Sequence, residues 1–263
     1  MTSEIFIHPQ AIVEAGAELG EGCTIGPFCV VGSNVKVGNR VTLKSHVVLA
    51  GNTSIGDDTI IFPFAVIGEI SQDKKYKGEK TFLRIGARNN IREHVTMHTG
   101  TRGGGGLTQI GSDGLFMAGC HIAHDATVGN HAIIANSAAI AGHCILEDNV
   151  IVGGLCGIHQ RVRIGKGAII GALTMVTHDV IPYCLVQGTR GKVRGLNYVG
   201  LKRRGVSRYE ISNLTAVFEE LMKGEGTFHE RAEKLNEREN SAYVKDMVQF
   251  ILGDSSRAFL KSG

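Results

Sequence analysis

Tryptophan is absent from this 263-residue chain, there are only four prolines, and aromatic residues make up 6% of the sequence. This composition excludes a core built mainly from large aromatic side chains. No apolar run approaches about 18 residues, and the N-terminal segment lacks a basic stretch followed by an apolar one. We therefore predict a cytoplasmic protein without stable membrane insertion. The net charge of +3 gives no reason to predict nucleic-acid binding.

Aliphatic residues recur at every sixth position in three runs: Ile7 to Ile67, Ile85 to Met97, and Ile110 to Val176. An amphipathic helix would instead need spacings of three and four. A small or β-branched residue stands four positions after most of the aliphatic ones. This hexapeptide pattern is typical of a parallel β-helix, in which three short strands form each coil of about eighteen residues. We predict a mainly β protein, a left-handed parallel β-helix of hexapeptide repeats.

Two interruptions and a change of composition divide the chain. The repeats break near residues 69–84, which are polar and lysine-rich, and near 99–109, where four consecutive glycines are typical of a flexible segment. Glycines elsewhere often follow the aliphatic residue, as expected at corners with unusual backbone angles. After residue 205, Ser207 and Thr227 begin sequences with capping-box spacing. We predict a β-helix over 1–190 and a small α-helical domain over 191–263.

Five of the six cysteines, at positions 23, 29, 120, 144 and 156, occupy the small inward position of the repeat. Cysteine behaves as a small apolar side chain in such places. Cys184 has no partner motif. We therefore expect core packing rather than a cysteine-based metal site or a disulfide, and we predict no metal and no cofactor.

Several histidines fall outside the inward positions. One coil beyond His124 lies Gly142, and another coil beyond lies Gln160, so these residues should stack about 4.8 Å apart along one edge. A neutral histidine can take a proton from a hydroxyl or amine and return it to a leaving group. We predict His124 as the general base and Asp125 as its orienting carboxylate. The two could meet only at a corner, because neighbours on a strand point to opposite faces.

Five motifs carry a resemblance that covers essentially the whole chain: QDKKY at 72–76, HIAHD at 121–125, AGH at 141–143, GIHQ at 157–160 and GLKRRG at 200–205. Together they resemble the UDP-N-acetylglucosamine O-acyltransferase family. The resemblance implies transfer of an (R)-3-hydroxyacyl chain from acyl carrier protein to the 3-position of UDP-N-acetylglucosamine, the first step of lipid A biosynthesis. It also implies a homotrimer with active sites between subunits and no cofactor.

The resemblance implies a role for each matching residue. His124 and Asp125 would form the catalytic pair, and Gly142 would offer its N–H to an oxyanion, a hypothesis that also follows from its place one coil from His124. The acyl-chain length would depend on Ala172 and Arg190, where the methyl group of Ala172 predicts a somewhat long chain. The substrate-binding residues would be Gln72, Asp73, Lys75, His121, His143, His159, Gln160, Asn197, Arg203 and Arg204.

Other interpretations stay open at this point. The same base could deprotonate the amine of a UDP-3-amino sugar, which would then be the group that is acylated. A coenzyme A-dependent acetyl- or succinyltransferase could also use the same scaffold. A zinc hydratase similar to the gamma carbonic anhydrases would explain several histidines together. The lysines of the first interruption could form a solvated surface, and the basic residues at 202–208 could receive an acidic carrier protein.

Overall fold

The computed structural model describes residues 4–262, so the predicted limits at residues 1 and 263 lie outside the described part. Three sheets form the sides of a triangular prism, and each coil contributes one strand to each sheet. Strands of successive coils pair in parallel, as in the alignment of His121 with Ala139. The hexapeptide period therefore becomes a helical stack of coils.

The strands are short because the chain turns a corner of the prism every six residues, which leaves little more than two residues of each repeat in extended geometry. Sheet 1 contains Phe6–Ile7, Thr24–Ile25, Thr42–Leu43, Ile60–Ile61, Asn90–Ile91, Leu115–Phe116, Ile133–Ile134, Ile151–Val152, Ile169–Ile170, Cys184–Gln187 and Lys192–Leu196. Sheet 2 contains Ile12–Val13, Val30–Val31, Val48–Leu49, Val66–Glu69, Thr96–His98, His121–Ile122, Ala139–Ile140, Gly157–Ile158 and Met175–Val176. Sheet 3 contains Glu18–Leu19, Lys36–Val37, Asn52–Ile55, Phe82–Ile85, Leu107–Ile110, Thr127–Val128, Ile145–Leu146 and Arg163–Ile164.

The interior of the prism alternates large and small side chains. Ile25 and Leu43 are buried on successive coils, while Ile7 on the first coil is 44% exposed because no coil covers it from above. All six cysteines are buried and unpaired, so the prediction that five of them fill the core is confirmed, and Cys184 is buried as well. Burial raises the pKa of both Cys120 and Cys144 to about 12, which keeps these thiols protonated.

Most of the glycines that follow the aliphatic residues are needed for a different reason from the expected one, although Gly68 does adopt a positive φ of 92°. A Cβ atom on Gly26 would lie 2.4 Å from the carbonyl oxygen of Lys44 on the next coil, yet Gly26 does not adopt a positive φ. The left-handed conformation is taken by non-glycine corner residues such as Asp125, with φ of 59°. These glycines are needed because successive coils approach closely, so the expectation about their backbone angles is wrong at this position.

The two interruptions are loops that leave the prism. We refer to residues 70–81 as the lysine loop and to residues 99–106 as the glycine loop. Glu79 links them, since one of its carboxylate oxygens accepts the backbone N–H of Arg102 at 3.1 Å. The glycine loop contains a 3-10 turn over Arg102–Gly104. Its Gly106 N–H donates to the Thr101 carbonyl at 2.8 Å, which gives a compact turn rather than an open linker.

The C-terminal part consists of four helices: α1 (Tyr198–Arg203), α2 (Arg208–Lys223), α3 (Phe228–Arg238) and α4 (Ala242–Leu252). Ser207 and Thr227 cap α2 and α3, as their spacing predicts. Strand Lys192–Leu196 precedes the helices and pairs antiparallel with Cys184–Gln187, so β-structure extends across the predicted boundary at 190/191. Within residues 4–262, none of the helices has the length and hydrophobicity required to cross a bilayer.

Candidate active site

His124 and Asp125 form the corner between a strand of sheet 2 and a strand of sheet 3. The left-handed backbone at Asp125 turns its side chain toward its neighbour, and His124 Nδ1 lies 2.8 Å from Asp125 Oδ2. Both side chains are buried, at 6% and 1% exposure. The expectation that only a corner could bring this pair together is confirmed.

This contact determines what the imidazole can do. When Nδ1–H donates to the Asp125 carboxylate, the Nε2 atom retains a lone pair that can accept a proton. Asp125 also stabilises the imidazolium that forms afterwards. The corner is therefore equipped for general-base catalysis at Nε2.

The glycine loop closes over Asp125. Thr101 donates its backbone N–H to Asp125 Oδ1 at 2.8 Å and its hydroxyl to Oδ2 at 2.6 Å. Thr108 accepts the Asp125 backbone N–H at 2.8 Å. Sequence reasoning missed both threonines, because their only signal was a position within or beside an interruption of the repeat.

A cleft of about 750 Å³ lies beside the corner, along the outer face of sheet 2. Eight of the predicted site residues line it: Gln72, Asp73, Lys75, His121, His124, Gly142, His159 and Gln160. The lysine loop contributes the first three, and the Lys75 N–H donates to Asp73 Oδ1 at 2.9 Å. Asp73 Oδ2 lies 3.9 Å from His124 Nε2, beyond hydrogen-bond distance, and both atoms are acceptors when Nδ1 carries the imidazole proton.

Gly142 lies directly next to the His124 ring on the following coil. A Cβ atom at this position would be 2.5 Å from His124 Cε1, so any side chain here would displace the imidazole. Among residues 4–262, no acceptor is found for the Gly142 N–H. Gly142 thus leaves room for the ring and keeps a backbone donor available at the edge of the cleft.

His121 and His98 form a second pair of side chains beside the cleft. Their centroids are 4.9 Å apart, and His121 Nδ1 is 2.7 Å from the Thr96 hydroxyl. Burial, with a smaller contribution from the neighbouring histidines, lowers the pKa of His121 to about 4. Burial also lowers the pKa of His98. Both rings are therefore neutral near pH 7, and His98 is a cleft residue that the sequence pattern did not reveal.

His143 lies one coil beyond the corner residues, and His159 lies on the coil after that. The His143 Nδ1 atom is 3.8 Å from Asp125 Oδ2, and burial lowers the pKa of this ring. His159 Nδ1 lies 2.7 Å from a terminal nitrogen of Arg257, and the Nε–H of the same arginine donates to the Gln160 carbonyl at 2.7 Å. Because arginine is always a donor, His159 accepts at Nδ1 and carries its proton at Nε2. Arg257 was missed because it is 98 residues from His159 in sequence.

Ligand atoms of His124, Asp125 and His143 lie within 4.8 Å of one another, which is the spacing of a metal site. The chemistry of this donor set favours a proton instead. His124 Nδ1 and Asp125 Oδ2 are joined by a hydrogen bond, and both carboxylate oxygens accept bonds from Thr101. A metal ion would have to displace these bonds, so the three groups do not form an open ligand set.

Five of the predicted site residues lie away from this cleft within one chain. Asn197 caps α1 and donates to the Gly167 carbonyl at 3.0 Å, and the Arg204 guanidinium lies 5.8 Å from the centre of the Tyr183 ring. Arg203 is exposed at the end of α1. Ala172 is exposed at a corner between sheets 1 and 2, whereas Arg190 lies just beyond the end of the cleft, where its backbone forms an isolated parallel β-bridge with Met175.

Two family models match parts of the chain. Residues 179–260 match the model described as UDP-N-acetylglucosamine O-acyltransferase, domain 2. Residues 16–51 match the model for the bacterial transferase hexapeptide. The first match covers the helices and the second covers early coils of the prism.

Curated relatives and solved structures cover far more of the chain. The acyl-[acyl-carrier-protein]–UDP-N-acetylglucosamine O-acyltransferase of Paracoccus denitrificans (strain Pd 1222) is 60% identical over 201 residues, which are 76% of each chain. The protein of the same name from Rhizobium johnstonii is 44% identical and covers 96% of this chain and 93% of its own. The structure of UDP-N-acetylglucosamine acyltransferase from Campylobacter jejuni superposes with a TM-score of 0.92 at 38% identity, over 99% of this chain and 100% of its own.

These structural matches confirm the predicted left-handed parallel β-helix. The Francisella novicida UDP-N-acetylglucosamine acyltransferase also superposes, with a TM-score of 0.93 at 34% identity over 98% of this chain and 94% of its own. Sequence, fold and the geometry of the cleft agree with one another. The chain belongs to the acyl-[acyl-carrier-protein]–UDP-N-acetylglucosamine O-acyltransferase family.

Proposed function

We propose that this protein transfers an (R)-3-hydroxyacyl chain from acyl carrier protein to the 3-hydroxyl of UDP-N-acetylglucosamine, the first step of lipid A biosynthesis. The observation that carries this proposal is the buried Asp125–His124 pair with His124 Nε2 at the edge of a cleft. The names of the curated relatives specify both substrates and an ester product. No cofactor is required for the chemistry below.

His124 is the general base in this mechanism. Its Nε2 removes the proton from the sugar hydroxyl while the oxygen attacks the thioester carbonyl. The tetrahedral intermediate places negative charge on the former carbonyl oxygen, where the Gly142 N–H can donate to it. Collapse of the intermediate forms the ester and breaks the carbon–sulfur bond, and the imidazolium returns its proton to the departing thiolate.

Residues of the lysine loop, together with the histidines and Gln160 near the cleft, bind the sugar in this proposal. The reacting hydroxyl would donate its one proton to His124 Nε2, and Asp73, whose Oδ2 is 3.9 Å from that nitrogen, would accept a hydrogen bond from another donor of the sugar. Gln72 and Lys75 line the same side of the cleft. The other polar groups of the sugar would form hydrogen bonds with His121, His143, His159 and Gln160.

We propose that the protein acts in the cytoplasm as a homotrimer. The His124 cleft of one chain does not include Asn197, Arg203 or Arg204 of the same chain. One nucleotide sugar could therefore contact the cleft and these three residues together only across a subunit interface. Arginine suits the diphosphate because its planar fork matches phosphate oxygens. These three residues are therefore proposed to bind the UDP portion from a neighbouring subunit.

The acyl chain is proposed to lie along the outer face of sheet 2. Below His121, successive coils present Ala139, Gly157 and Met175 in register, which gives a groove with small side chains that ends at a larger one. The backbone of Arg190 forms a β-bridge with Met175 at this end of the groove, and Arg190 is proposed to help limit the length of the acyl chain. Ala172 could contribute only across a subunit interface, because it lies outside the cleft of its own chain.

The test is acyl transfer with purified protein, followed by mass spectrometry of the nucleotide sugar. The acceptors are UDP-N-acetylglucosamine and its 3-amino analogue, and the donors are hydroxyacyl carrier proteins of several lengths. We expect the 3-hydroxyl product from the wild type and from the control variant His131→Ala, whose exposed histidine lies at another corner. His124→Ala should form no product. Product from the amino sugar alone would contradict the proposal.

A further inference from the structure

The Asp125 carboxylate is held by a residue that does not line the His124 cleft. Thr101 bonds to both of its oxygens, through the backbone N–H to Oδ1 at 2.8 Å and through the hydroxyl to Oδ2 at 2.6 Å. Two bonds from one residue to both oxygens define the plane of the carboxylate. We infer that Thr101 is a positioning residue for acyl transfer, which keeps Asp125 Oδ2 directed at His124. This inference rests on the proposed roles of His124 and Asp125.

A competing partner shows why the carboxylate needs this restraint. His143 Nδ1 lies 3.8 Å from Oδ2, the same oxygen that His124 Nδ1 contacts at 2.8 Å. The terminal torsion of aspartate is broad, so an unrestrained carboxylate can rotate to share its charge between both rings. Loss of the Thr101 hydroxyl would therefore weaken the hydrogen bond that orients the catalytic imidazole.

The glycine loop is shaped for this contact. A Cβ atom on Gly104 would lie 2.1 Å from Asp125 Cγ, and one on Gly100 would lie 2.7 Å from Asp125 Oδ1. The Thr101 carbonyl accepts the N–H groups of Gly104 and Gly106, at 3.0 and 2.8 Å, which fixes the residue in place. Glycine is required at positions 100 and 104 because the loop backbone packs directly on the carboxylate. This close packing places Thr101 within hydrogen-bond distance of Asp125.

The first experiment compares Thr101→Val, which removes the hydroxyl at similar volume, with Thr101→Ser, which keeps it. A hydrogen bond to a charged group corresponds to about a 10- to 100-fold effect, so kcat of Thr101→Val should fall by about that factor. KM for UDP-N-acetylglucosamine should change less than kcat, because the Thr101 hydroxyl is already bonded to Asp125 rather than free to bind the sugar. Thr101→Ser should recover most of the rate, and Thr42→Val on sheet 1 serves as the matched control.

A double-mutant cycle separates positioning from a general structural role. In an Asp125→Asn background, Thr101→Val should lower kcat little further, because the group through which Thr101 acts is already altered. A purely structural effect would lower kcat by the same factor in both backgrounds. Thr101→Ala provides a second variant without the branched apolar group, and thermal unfolding verifies that each variant is folded.

The outcomes distinguish this inference from the proposed function. Wild-type kcat in both Thr101→Val and Thr101→Ala would overturn the role of Thr101 while leaving that of Asp125 intact. Effects of Thr101→Val and Asp125→Asn that multiply would also overturn it. Full activity of Asp125→Asn would instead contradict the proposed role of Asp125, and the role of Thr101 with it.

Discussion

Met175 is expected to end the groove that receives the acyl chain, so its truncation should lengthen the preferred donor. Met175 is 43% exposed on the outer face of sheet 2, in register below Gly157 and Ala139. Successive coils are about 4.8 Å apart. An extended chain advances about 1.25 Å per methylene, given a C–C bond of about 1.5 Å and near-tetrahedral angles. Lengthening the groove by one coil therefore makes room for about four more carbons of the acyl chain.

The size of the preference follows from the same groove. Three coils separate the level of His121 from that of Met175, or about 14 Å, which accommodates about eleven methylenes. In Met175→Ala, four additional buried methylenes would contribute at most about 3 kcal/mol. The ratio of kcat/KM between a donor four carbons longer and the wild-type optimum should therefore rise by up to about 200-fold.

The assay is competition between hydroxyacyl carrier proteins of different length, with product masses giving the kcat/KM ratios directly. Gly157→Met provides the opposite perturbation, because a Cβ atom at Gly157 meets nothing within 4 Å and the longer side chain would block the groove one coil earlier. It should shorten the optimum by about four carbons. Leu173→Ala, at an exposed corner of the same coil, is the control. Unchanged length preference in both groove variants, or an equal shift in Leu173→Ala, would refute this reasoning.

Three further predictions concern the corner and the fold. Gly142→Ala should lower kcat about 100-fold without changing the thermal midpoint, because the added methyl displaces the His124 ring; an unchanged rate would contradict this. Asp179→Ala should lower the free energy of unfolding by about 3–5 kcal/mol in denaturant titration, because the Arg163 guanidinium loses a fully buried partner 2.7 Å away. The folded pKa of His121 is about 4, below its ordinary value of 6.5, so the unfolded chain binds more protons between these values. Stability should fall as the pH drops through this range, and the urea midpoints of His121→Gln at pH 7 and pH 5 should differ less than those of the wild type.

The local pattern of the chain was sufficient to predict the coils, because the strand period and the spacing between coils repeat without long-range information. It also placed Gly142 one coil from His124, and it predicted that five of the six cysteines would be core residues rather than ligands. The caps at Ser207 and Thr227 were readable for the same reason, since a capping interaction spans only three residues. The substrates came from the motif resemblance and not from the repeat.

The sequence by itself therefore determined the prism, its register and the edge that carries His124. Only the tertiary structure decided how that edge becomes the proposed active site. The left-handed backbone at Asp125 joins it to His124, the glycine loop brings Thr101 to its carboxylate, and Arg257 reaches His159 across 98 residues. These contacts depend on where loops and the C-terminal segment fold back onto the coils. A six-residue period specifies neighbouring coils and contains no information about those longer connections.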